Sequence, residues 1–76
     1  VSLDLHGYLV HDAWKEFKRH VSDCYHYKYK YTIVITGHGK IAQELPNWCV
    51  ADPYIRHVEQ MTPNTGAYKI TFWKQK

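Results

Sequence analysis

The chain has 76 residues, of which 45% are hydrophobic and 16% aromatic: enough for one modest core, too few for a separate cofactor-binding domain. Ten Lys and Arg against seven Asp and Glu leave a net charge of +3 with the histidines neutral, a mild bias toward polyanionic partners and no proof of one. Pro, Gly and Ser are scattered, which excludes a low-complexity or disordered chain, and no apolar run reads as membrane-spanning or as a signal peptide. Cys24 and Cys49 are far apart and outside any C-x-x-C pair, so they read as reduced thiols of a cytoplasmic protein. The opening at Val1 without a methionine leads us to expect a single domain over 1–76, processed or excised from a longer protein.

Ser2 to His6 alternates apolar and polar residues, with Leu3 and Leu5 on one face and Asp4 and His6 on the other, the pattern of a half-buried strand broken by Gly7. From Val10 the apolar residues Ala13, Trp14, Phe17 and Val21 recur at helical spacing, with Lys15, Glu16, Lys18 and Arg19 opposite them. This predicts an amphipathic helix of about four turns. The β-branched run inside Tyr31 to Thr36 predicts a second, central strand. Ile41, Leu45, Trp48 and Cys49 predict a second helix, kinked or restarted at Pro46 and ended by Asp52-Pro53. Tyr54 to Gln60 and Ala67 to Trp73 read as strands joined by a Pro, Asn and Gly loop over Met61 to Gly66. The order β-α-β-α-β-β predicts an α/β two-layer sandwich: a mixed sheet with two helices on one face. A right-handed crossover would make strands one and two parallel neighbours and bring both glycine turns to one edge, where ligand sites of α/β folds form.

Two segments at that edge, Leu3-Asp4-Leu5-His6-Gly7 and Ile35-Thr36-Gly37-His38-Gly39, each followed by a helix, resemble the Smr domain, named for small MutS-related proteins. Leu45-Pro46-Asn47-Trp48 is similar to the family's apolar-Pro-x-Trp segment, and Gly66-Ala67 to its Gly-rich approach to the closing strand. His38 stands where the family usually has Lys or Arg, and the His-Ser and double-glycine elements of longer members are missing after Gly39. The resemblance implies nucleic acid, DNA or RNA, as the partner, structure-dependent DNA nicking or RNA cleavage as the activity, and linkage to other domains of a longer chain.

The residues themselves point to compatible chemistry. Thr36, Gly37, His38, Gly39 and Lys40 turn the backbone sharply into a helix, exposing N–H groups and the positive end of the dipole to a phosphate, with Lys40 adding charge. The long cradle of a Walker A loop is absent, which argues against ATP or GTP hydrolysis. Asp4 and His6, two apart on a strand, share a face, and a histidine beside a carboxylate suits general acid–base work on a phosphodiester. Two mechanisms are open. In one, Asp4 and a substrate phosphate hold a single Mg²⁺ while His6 activates or orients the nucleophile. In the other, His6 and His38 serve as base and acid and the ribose 2′-hydroxyl attacks, so catalytic roles fall on Asp4, His6 and His38 without an organic cofactor. Against both stands a plainer reading in which the glycines only make a tight turn and Asp4 binds nearby backbone.

The segment Tyr25-His26-Tyr27-Lys28-Tyr29-Lys30-Tyr31 offers aromatics and cations for single-stranded nucleic acid, with Lys28, Tyr29 and Lys30 as the contacts. Its competing role is a strand entry whose tyrosines pack against the first helix. Histidines and cysteines lack the paired spacing of structural zinc. Trp14, Trp48 and Trp73 are expected in core or sheet-edge packing. A noncatalytic nucleic-acid-binding module and a protein-interaction module remain as alternatives to a nuclease.

Overall fold

The computed structural model describes residues 1–74, so the last two residues of the expected 1–76 domain lie outside it. In chain order the elements are β1 (Ser2–Asp4), α1 (Val10–His26), β2 (Tyr31–Ile35), α2 (Lys40–Ala51), β3 (Ile55–Gln60) and β4 (Ala67–Phe72). Because a helix intervenes between them, β1 and β2 pair in parallel, with Leu3 opposite Val34. The last two strands form an antiparallel pair, and β4 inserts between β2 and β3, giving the order β1-β2-β4-β3.

The period of two along the strands sorts the sheet into two faces. Thr32 and Val34 of β2 lie opposite Ile70 and Tyr68 of β4, and all four are buried. Ala13, Phe17, Val21 and Cys24 of α1 and Ile41, Leu45 and Cys49 of α2 complete one core with that face, as expected for two helices on one side. The opposite face carries exposed Tyr31 and half-buried Ile33, Ile35, Lys69 and Thr71. It is the uncovered side of the sandwich.

Several boundaries differ from the sequence reading. β1 stops at Asp4, and His6 belongs to the turn that follows. α1 is longer than four turns because Cys24 extends the apolar stripe, which carries the helix through Tyr25 and His26. Its end is a Schellman closure: Lys28 N–H donates to Tyr25 O (3.1 Å) and Tyr29 N–H to Cys24 O (3.0 Å). The tyrosine-rich segment is therefore part helix and part turn. Tyr25 stacks on Tyr54 at 4.2 Å, while Tyr27, Tyr29 and Tyr31 are exposed instead of packing on the first helix.

Pro46 neither breaks nor restarts α2, which runs on through it. Proline has no N–H for the carbonyl four residues back. That carbonyl, Ala42 O, accepts instead from the Tyr68 hydroxyl at 3.1 Å. Of the tryptophans, Trp48 packs on Phe17 (5.6 Å between rings), whereas Trp14 and Trp73 lie on the surface. No helix among the described residues is long and apolar enough to cross a membrane.

Candidate functional site

Parallel pairing ends β1 and β2 at the same edge, and Leu5 N–H donates to Ile35 O (2.7 Å) just beyond the last pair. Antiparallel pairing brings the start of β4 to that edge as well, with Ala67 opposite Ile35. Three turns thus meet: 5–8 after β1, 36–39 after β2 and 61–66 before β4.

The meeting is tight. Gly66 O accepts from Thr36 N–H (2.8 Å) and Gly37 N–H (3.0 Å), and the buried Thr36 hydroxyl lies within reach of the carbonyls of Gly37 (2.9 Å) and Gly66 (3.2 Å). Gly37 holds a left-handed φ of 72°. A Cβ there would stand 3.3 Å from His6 Cδ2. At Gly66 a Cβ would stand 3.2 Å from His38 Cε1 and 3.3 Å from Gly37 Cα. His6 therefore borders Gly37 and His38 borders Gly66, two glycines that themselves lie against each other. His38 Nε2 also meets Thr65 Oγ1 at 2.8 Å, and Asn64 Oδ1 accepts from Gly66 N–H at 3.2 Å.

Asp4 is exposed and its Oδ1 accepts from the backbone N–H of His6 (2.9 Å), so it orders the turn that carries His6 through the main chain. Among the described residues no three of His, Cys, Asp and Glu gather as metal donors. Asp4 thus offers a single carboxylate. Of the anticipated phosphate cradle, Thr36 and Gly37 spend their N–H groups on Gly66. Gly39 is the N-cap of α2, without a side-chain cap bond, and exposed Lys40 is its first residue, with no acidic residue in the first turn. The positive end of the dipole and a cation coincide there uncompensated.

Lys28, Tyr29 and Lys30 are elsewhere. They precede β2, whereas Thr36 follows it, and six strand steps put the two places about 20 Å apart. Lys18 is tied to buried Asp52 (2.9 Å) and Arg19 to Glu16. Lys69 sits 4.8 Å over the Tyr31 ring and Arg56 5.9 Å from the Trp73 ring centre.

The family model of the Smr domain matches residues 3–72. The chain belongs to the Smr domain family. The Smr domain of MutS2 from Thermus thermophilus superimposes with a TM-score of 0.90 at 16% identity, covering 95% of this chain and 96% of that one. The human small-MutS related domain superimposes with a TM-score of 0.73 at 25% identity, covering 95% of this chain and 100% of that one. No curated protein matches the chain.

Asn64 and Thr65 of this Smr domain escaped the sequence reading, which took 61–66 only as a connector. The signal was Gly66: once β4 pairs with β2, the residues before it must abut the 36–39 turn. Away from this edge, the Smr core holds a second polar group, in which His20 Nε2 meets Thr32 Oγ1 (2.7 Å) and Cys24 Sγ (3.5 Å). Burial holds His20 below its ordinary value and pushes the Cys24 thiol up. Cys49 is pushed up to about 12 by burial and by nearby Asp52. Both cysteines are buried free thiols held protonated, unsuited to nucleophilic work.

Proposed function

We propose that this Smr domain binds nucleic acid at the edge formed by its three turns and cleaves phosphodiester bonds there. The observation that carries the reading is the pair His6 and His38 bordering one glycine contact beside the N-terminus of α2 and Lys40. N–H groups of His38, Gly39 and Lys40, together with the Lys40 ammonium, take the phosphate, while Thr36 and Gly37 hold the turn in place. With Nε2 engaged by Thr65, His38 has Nδ1 left for the substrate.

On RNA, one histidine takes the proton of the 2′-hydroxyl as it attacks phosphorus, and the other gives a proton to the departing 5′-oxygen, leaving a cyclic phosphate. Asp4 positions His6 through the backbone in this scheme. A Mg²⁺ ion, if used, would be held by Asp4 with substrate phosphate and water as its other ligands, and would supply charge neutralisation at the phosphate.

The test is incubation of the chain with labelled single-stranded RNA, hairpin RNA and supercoiled plasmid, in Mg²⁺ or EDTA, beside fold-matched His6→Ala, His38→Ala and Asp4→Ala proteins. Each histidine variant is expected to lose at least about 100-fold in rate. Cleavage of RNA alone that persists in EDTA selects the two-histidine route. Binding without cleavage of any substrate overturns the nuclease and leaves a recognition module.

A further inference from the structure

At the far end of the sheet from the glycine edge, a cleft of about 610 Å³ opens between the end of α1, the start of β3 and the end of β4. Lys28, Lys30, Arg56 and Lys74 bring four cations to its wall, with the rings of Tyr29 and Trp73 among them and no acidic side chain. Tyr29 is 49% and Trp73 54% exposed, so these are large apolar surfaces left in water.

The backbone around the cleft is specifically shaped. Lys28 occupies the left-handed position of the Schellman closure, with φ of 65°, where glycine ordinarily sits and where a side chain is strained. Between Ile55 and His57 the β3–β4 register shifts, and the extra residue is Arg56, the one that lies over Trp73. Bulges re-aim side chains in this way. Phe72 N–H donates to Lys30 O and Trp73 N–H to Tyr54 O, both at 3.0 Å, which pins the floor.

We infer that this cleft is a second subsite, which holds an unpaired nucleotide of a single-stranded nucleic acid whose scissile phosphate lies at the glycine edge. The inference rests on the nucleic-acid reading above and deepens it. Cations at the rim match backbone phosphates, and exposed rings between them match bases, which present a π-face only when unpaired. The uncovered sheet face, with Tyr31, Lys69 and Thr71, joins the cleft to the edge. A strand engaging both ends must span about 20 Å.

The experiment measures fluorescence anisotropy of labelled oligothymidylate in EDTA across a salt series, with strands shorter and longer than that span. Lys28→Gly and Trp73→Ala are compared with the parent chain and with Lys40→Ala. The longer strand is expected to bind more tightly to the parent, and both cleft variants to weaken it about tenfold. Lys28→Gly lowers the salt slope by about one. Because Lys28→Gly relieves a left-handed side chain, its Tm is expected to rise while its affinity falls, which separates binding from folding. Parental affinity in both cleft variants, with loss in Lys40→Ala, overturns the cleft and leaves the edge reading standing. No binding by the parent overturns both. An abasic strand that binds as well as oligothymidylate, or an acidic peptide that binds the cleft more tightly, also overturns it.

Discussion

His20 shows how one residue can make stability depend on pH. Its imidazole is half-buried against Thr32 and Cys24, and burial holds it below the ordinary histidine value of 6.5, against a smaller opposing influence from Asp23. Above 6.5 the folded and unfolded chains are both neutral at this group. As pH falls below 6.5 the unfolded chain takes up the proton first, so stability declines until the folded-state value has been passed. We expect Tm to drop as pH falls below 6.5 and His20→Gln to flatten that drop. Thermal unfolding followed by circular dichroism across the range checks it. Nothing in the sequence marked His20 for this role, since its helical position was legible but its facing partner Thr32 comes from a strand twelve residues on.

Elements are where the sequence came nearest to the structure, and Pro46 is the instructive exception. A proline inside a helix is disfavoured by about 3 kcal/mol, because it clashes with the preceding turn and strips a donor from the carbonyl four residues back. Sequence alone therefore argues for a kink or a fresh start of the helix at Pro46. The structure carries α2 through Pro46 as one helix, and Tyr68 from β4 supplies the missing donor to Ala42 O. Tyr68→Phe is expected to cost about 1 kcal/mol in the native background and clearly less in a Pro46→Ala background, where the helix carries its own donor. Chemical denaturation of the four proteins of this double-mutant cycle measures the coupling; equal costs in both backgrounds would refute it. The end of α1 has a similar origin. The alternation from Tyr25 onward looks extended, but the apolar stripe through Cys24 keeps the helix on the core until the Schellman closure stops it.

At the scale of the whole molecule, the three turns meet at one edge because strand order places Gly66 against Gly37. Gly66→Ala brings a Cβ to 3.3 Å from Gly37 Cα and 3.2 Å from His38 Cε1, with Asn64 Oδ1 at 3.4 Å. The ring can move, but the backbone contact has less freedom. We expect a loss of about 1–3 kcal/mol in stability. A thermal melt of the variant beside the parent checks it. Asp52 links the layers differently: its buried carboxylate accepts from Lys18 Nζ of α1 and from Tyr54 N–H at the entry to β3, both at 2.9 Å. Asp52→Ala is expected to cost about 2–3 kcal/mol, read from the denaturation midpoint.

The sequence by itself determined the element order, the parallel pairing of β1 with β2, the two helices on one face and the convergence of two glycine turns. Those follow from short-range periodicity, from glycine and proline, and from the fixed hand of a β-α-β crossover, all of which are local properties of the chain. Only the tertiary structure decided that β4 enters between β2 and β3. That placement brings Thr65 and Gly66 to the histidines, spends the Thr36 and Gly37 amides on Gly66 O, supplies Tyr68 to Ala42, and closes the basic aromatic cleft at the other end. Pairing between segments distant in sequence leaves no periodic trace in either one, because each strand reads the same whichever neighbour it finds.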